Sequence, residues 1–307
     1  MDECDARTQG FSIVVLSINP RTRQRAVQRG RTAQAHRRAS SYSSAVRLDW
    51  EIAKRGWRRY AAYPWATAAG VFTNTVFGFI QAYILLAVFR HRSHVGSYDS
   101  ADTVTYVWLA QALIMTVYIF GWNELALRIR DGSIATDLSR PLDPQRYWLA
   151  FDLGRAPFHL IFRGVLPFLI GGVLFRLHYP TPLDAFAFAL SVTLAVVVSL
   201  GFRFLYNSAA FWITDVRGVT TLALTVSLFF SGMVLPLTFF PSWLRTIAHA
   251  LPFASIVQTP IDVWLGKHHG SSLVGILALQ AAWALALLGL GRVTLRFGAR
   301  KLVVQGG

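Results

Sequence analysis

What most restricts this chain is a set of long uncharged runs. Residues 66–89, 103–122, 219–239 and 272–291 contain no Asp, Glu, Lys or Arg, while 158–177 admits Arg163 and Arg176 and 185–207 admits Arg203. Each run can cross a hydrocarbon core of ~30 Å, and in that core only a helix keeps its own backbone N–H and C=O groups satisfied. The pattern predicts an all-α membrane protein with six transmembrane helices over those six segments. Composition agrees: 54% of the 307 residues are hydrophobic and the mean hydropathy is +0.42, too apolar for a water-soluble domain.

Charge then has to be explained by the membrane. The formal net charge of +15 would point to nucleic acid in a soluble domain. Here the basic side chains gather in short segments beside apolar runs, so no nucleic-acid partner is expected and topology is the reading. Arg47, Lys54, Arg55, Arg58, Arg59, Arg128, Arg130, Arg140, Arg146, Arg155, Arg217, Arg292, Arg296, Arg300 and Lys301 fall on one side of a six-span arrangement. Only Arg90, Arg92, Arg176, Arg245 and Lys267 fall on the other. The positive-inside bias makes the first side cytoplasmic, with both termini on it. Arg163 sits inside an apolar run at a cost of ~2.5–3.5 kcal/mol unless it reaches water or a partner, and snorkelling inward is the expected answer. Cys4 is the only cysteine, which excludes an internal disulfide and a cysteine-built metal cluster.

The chain reads as three pieces. Residues 1–45 form a basic extension whose apolar run, 11–18, is too short to span; its acids precede that run and its arginines follow, the reverse of a secretory signal. It is read as a disordered tail drawn to anionic lipid, or as the product of an upstream start codon. Residues 46–63 form an amphipathic interfacial helix, with Val46, Trp50, Ala53, Trp57 and Tyr60 on one face and charge around it. Residues 64–307 carry the six spans, beginning at Pro64, with Ala278, Ala282 and Ala286 offering a small-residue packing stripe on the last.

Two interruptions stand out. Between the second and third runs, 123–148 is polar and predicts a broken helical hairpin: Leu125, Ile129, Ile134 and Leu138 line one face, Gly132 permits the turn, and Pro141 and Pro144 end it. After the fifth run the order is Ser231-Gly232, Pro236, Pro241, Trp243-Leu244 and Leu251-Pro252-Phe253. Pro236 and Pro241 stop the helix, and a short amphipathic helix over 242–251 then lies along the membrane surface. Residues 253–265 are apolar but broken by Gln258, Pro260 and Asp262, which predicts a re-entrant connection.

This order of residues, placed between the last two runs, resembles the end of the fifth helix and the external helices of ABC-2 type exporter permeases. It looks most like the six-helix subunits of bacterial drug- and lipid-export operons. The likeness covers residues 46–307 and implies an ABC-2, type V exporter-like fold with an interfacial helix, a cytoplasmic coupling helix and external re-entrant helices. It also implies roles. Glu124, Arg128, Arg130, Asp131, Gly132, Ile134 and Asp137 would belong to the segment facing the ATPase; Ser231, Gly232, Pro236, Pro241, Trp243 and Pro252 would form the external motif. Partners would be two copies of an ABC ATPase subunit, a second permease (homodimer or paralogous heterodimer) and membrane lipid, in a bacterial plasma membrane.

The chain shows no phosphate-binding loop: Lys54, Lys267 and Lys301 are its only lysines, and none ends a Gly-Lys-Ser/Thr motif. No cofactor is expected on this chain; ATP and Mg would act on the partner. Zinc-protease and nucleophile-elbow signatures are absent too, so a non-enzymatic transporter subunit is expected, with no metal. Asn74 and Gln81 in the first run are read either as packing hydrogen bonds or as part of a substrate path. The alternatives are a proton-coupled secondary transporter and a non-transporting membrane scaffold.

Overall fold

The computed structural model describes residues 45–120 and 122–302. The chain divides into two compact units, 1–48 and 49–307. Most of the first unit, and with it the expected basic extension, lies outside the described residues; only 45–48 appear, as the start of a helix over 45–61, α1.

The second unit is helical, with no strand among the described residues. After α1 come α2 (Pro64–Val88), α3 (Ser100–Leu113), α4 (Glu124–Arg130), α5 (Ile134–Ser139), α6 (Pro144–His159) and α7 (Leu166–Leu174). Then follow α8 (Pro182–Ser208), α9 (Arg217–Phe230), α10 (Ser242–Ala250), α11 (Gln258–Trp264) and α12 (Ser271–Ala299). A π-helical segment, Leu160–Val165, joins α6 to α7 without a break. By length and composition four helical stretches can cross a membrane: Pro64–His91, Pro144–Leu174, Pro182–Phe211 and Ser271–Ala299.

Three of the six expected spans differ from expectation. The second, expected to run to residue 122, stops as a helix at Leu113, although neither Gly nor Pro interrupts 113–119. Its carbonyls are taken by distant side chains, which no local signal announces. The fifth stops at Phe230, before either proline, because the Ser231 carbonyl accepts from the Gln258 backbone N–H at 3.0 Å. The third begins at Pro144, well before residue 158. There Pro144 occupies the first turn and Asp143 caps it by accepting from the Arg146 N–H at 2.9 Å. Asp152 and Arg155 interrupt the apolar pattern there, and in the fold they are paired with each other.

Packing is set by small residues. Along α2 only Gly70, Asn74, Gly78, Ala82 and Leu85 are buried, one narrow stripe at helical spacing. Gly78 admits the Trp108 ring of α3: an added Cβ would stand 2.8 Å from it, and one at Gly171 of α7 would stand closer still to the same indole. At the crossing of α1 and α6 the contact is backbone to backbone, Gly56 lying on the Phe151 carbonyl and Gly154 on Ala53. Such approaches are what glycine permits between membrane helices. The longest interface is that of α8 with α12, where Gly201 meets Leu287. The α12 face in contact is Gln280, Ala284, Leu287, Gly291 and Leu295; Ala278, Ala282 and Ala286 point outward. Both stripes are equally apolar, and Gln280 marks the inward one by donating to the Ser191 and Ser255 carbonyls.

Candidate functional site

The elbow over 123–140 is a helix–turn–helix held from below. Gly132 takes φ +76°, a left-handed value that suits glycine, and Asp131 accepts from the Ser133 N–H at 2.9 Å to close the turn. Those Ser133 hydrogen bonds hold the Asp131 carboxyl below the usual range. Leu125, Ile129 and Ile134 bury themselves among Trp122, Trp148, Phe151, Phe204 and Leu295. Asn207, at the end of α8, accepts from the Ala126 N–H at 3.1 Å and donates to the Trp122 carbonyl at 2.7 Å. Glu124 pairs with Arg59 of α1 at 2.7 Å, and Arg128 pairs with Asp137 at 2.7 Å. Of the residues implied to face a partner, Ile134 is therefore in the core and Arg128 and Asp137 tie the two short helices together. Of the implied residues Arg130, Asp131 and Gly132 lie on the outer surface, beside Leu127 (55% exposed), Thr136, Ser139 and Arg140.

Behind the elbow lies a charged centre that hydropathy reading missed. Asp152 of α6 accepts from Arg155 Nε at 2.7 Å and from Arg203 of α8 on its other oxygen. All three are buried. Arg155 donates onward to the Met115 and Thr116 carbonyls, and Ser199 donates to that of Val117. Those carbonyls belong to the turn where α3 has ended, so the helix terminus is satisfied from α6 and α8. Tyr118, at φ +54°, lays its ring 4.5 Å from the Arg155 guanidinium and 5.3 Å from that of Arg203. The one legible sign was the i, i+3 spacing of Asp152 and Arg155.

At the far end of α2 the segment after α9 folds back on itself. Gly232 takes φ +85°, and its carbonyl accepts from the Tyr106 hydroxyl at 2.8 Å. Gln258 is the hub: its side-chain oxygen accepts from the Leu237 N–H and from Tyr106, each at 2.9 Å. Its amide donates to Tyr98 at 2.9 Å and to Asp262 at 3.0 Å, while Tyr98 also donates to Asp262. Residues 252–263 are buried throughout. Of the implied external motif, Ser231, Gly232, Pro236 and Pro252 are buried around this hub; Pro241 opens α10 and Trp243 is 65% exposed. Beside it, Lys267 reaches Asp102 at 2.5 Å.

Asn74 and Gln81 both bond within the chain. Asn74 donates to the Gln111 carbonyl at 3.0 Å; Gln81 donates to the Val234 carbonyl at 2.8 Å and accepts from Gln111 at 3.2 Å. They link α2 to α3 and to the stretch following α9.

Apolar helices packed through glycine, four of them long enough to cross a membrane, define an all-helical membrane protein. The chain belongs to a known family of them: the family described as ABC-2 family transporter protein matches residues 76–306, about three quarters of its length. No curated protein matches it. Membership makes this chain the membrane component of an ATP-binding cassette transporter and implies partnership with an ABC ATPase, since the family generally lacks an ATPase motif of its own.

Proposed function

We propose that this chain is the transmembrane subunit of an ATP-driven exporter in a bacterial plasma membrane, with both termini cytoplasmic. Two such subunits, identical or paralogous, form the pathway, and two ATPase subunits dock beneath the elbow. Six crossings follow if α3 and α9 each continue across the membrane through the largely buried stretches 114–120 and 231–240, which are irregular apart from one 3-10 turn at Leu237–Phe239; backbone of that kind is tolerated at depth where protein surrounds it. Amphiphilic drugs, lipids or glycolipids are the cargo class that a glycine-packed, aromatic interior suits.

The observation that carries this reading, beside family membership, is the elbow's division of labour. Its inner face is locked to α1, α6 and α8, and its outer edge presents Leu127, Arg130 and Asp131. A force applied at that edge reaches the spans through Glu124–Arg59 and Asn207. Co-expression with an ABC ATPase from the same genome tests the reading. The wild-type chain should retain the ATPase on affinity purification, and the pair Arg130→Glu with Asp131→Lys should lose most of it while keeping its elution profile. Transport by the purified chain in vesicles without any ATPase would refute the assignment.

A further inference from the structure

We propose that Arg163 forms a binding site for the anionic headgroup of a membrane amphiphile, at the groove between α2 and the π-helical segment Leu160–Val165. Arg163 lies within the long apolar helix Pro144–Leu174, half-buried, with its Nε buried and without a hydrogen-bond partner. No carboxylate among the described residues pairs with it; Asp152, the nearest acid along its helix, is already shared by Arg155 and Arg203. One turn earlier His159 is 1% exposed, and both of its ring nitrogens also lack a partner. Two polar groups on one stretch of helix are thus desolvated with their bonding capacity unused, which is costly unless something else fills it. A π-helical turn interrupting an α-helix is a frequent mark of a functional position.

The groove shows what kind of molecule fits. The guanidinium lies directly over Gly70 of α2, the one residue type that leaves it room there. Around it Phe162, Val165 and Leu166 are exposed, so the approach is apolar. Tyr63 and Trp65, exposed at the start of α2, mark headgroup depth, and Gly70 is about 9 Å along the helix from Pro64 at 1.5 Å per residue. A ligand reaching Arg163 must therefore carry its anion just below the interface and its hydrocarbon against that apolar rim. A phosphodiester or phosphate on an acyl chain does so, accepting from the guanidinium fork. Resident lipid and transported cargo share this chemistry. The inference needs the membrane embedding, but neither ATP drive nor the orientation proposed above.

The test uses the full-length chain in dodecyl maltoside, following thermal unfolding and lipid retention by native mass spectrometry. Three additives are compared: dioleoyl-phosphatidylglycerol, dioleoyl-phosphatidylcholine and inorganic phosphate. The anionic lipid should raise Tm saturably and remain bound, and the other two should do neither. Arg163→Gln should weaken the lipid effect about tenfold, and Arg163→Lys should restore part of it. Gly70→Ala covers the case in which the charge-removing variant fails to fold: its new methyl displaces only the flexible guanidinium, and it should weaken binding with the charge kept. Unaltered phosphatidylglycerol retention in Arg163→Gln, or in Gly70→Ala where Arg163→Gln does not fold, overturns the site. An equal response to inorganic phosphate overturns the assignment to an amphiphile. Because no step involves ATP, these outcomes are independent of whether an ATPase co-purifies.

Discussion

Replacing Asp152 by Asn should be among the most damaging single changes in this chain. The substitution preserves shape and removes the one negative charge lying between Arg155 and Arg203, whose side chains are 1% and 4% exposed. Two buried guanidinium groups would then face each other with no counter-charge. Breaking a buried pair by deleting one partner costs ~3–5 kcal/mol, because the remaining charge stays desolvated. Secondary losses follow. Arg155 holds the Met115 and Thr116 carbonyls, and Arg203 donates to Ser199, so repulsion also loosens the turn after α3. At about 2–4 °C of Tm per kcal/mol, Tm should fall by about 6–20 °C. Differential scanning fluorimetry of the detergent-solubilised protein reads this directly. The double variant Asp152→Asn with Arg203→Met should recover part of the loss, since one of the two opposed cations is gone. A fall of less than about 2 °C in the single variant, or strict additivity in the double, would show that the centre is hydrated and refute the reasoning.

Gln258→Leu leaves the buried Leu237 N–H without a partner and removes bonds to Tyr106, Tyr98 and Asp262. The expected cost is ~3 kcal/mol, seen as faster hydrogen exchange over 231–240; protection equal to wild type would count against the hub. His249 of α10 has its pKa lowered, chiefly by burial. Its proton binds the unfolded chain more readily, so this contribution to stability is present above the unfolded value near 6.5 and is lost as pH falls below it. The protection factors of the Ser242–Ala250 amides, corrected for intrinsic exchange, should therefore fall between pH 7.5 and pH 5, and His249→Gln should abolish that dependence; an identical profile in the variant would remove His249 as its cause.

Local chemistry announced its elements in advance. Pro64 opens α2, and Gly132 turns the elbow with Leu125, Ile129 and Ile134 facing inward. The ends of α3 and α9 were hidden because their causes lie far along the chain: Arg155 and Ser199 hold the carbonyls after one, and the Gln258 N–H takes a carbonyl after the other. The start of α6 was obscured by Asp152 and Arg155, which a hydropathy sum counts as two polar residues and the fold counts as a neutralised pair. Which stripe of α12 packs was undecidable from apolarity alone, since Ala278 and Ala284 weigh the same; only Gln280 distinguishes the faces. An all-helical membrane chain of this family was therefore legible in hydropathy and residue order, and the buried ionic centre, formed between α6 and α8, was not.

The crossing of α1 over α6 has a mechanical meaning. Main chain lies against main chain at Gly56 and Gly154, and to either side the Trp57 ring meets Phe158 and Arg146 pairs with Asp49. A tilt of α1 would reach α6 through that crossing, and α8 through Asp152, so shortening or lengthening the surrounding acyl chains at constant headgroup should shift the melting temperature of the chain.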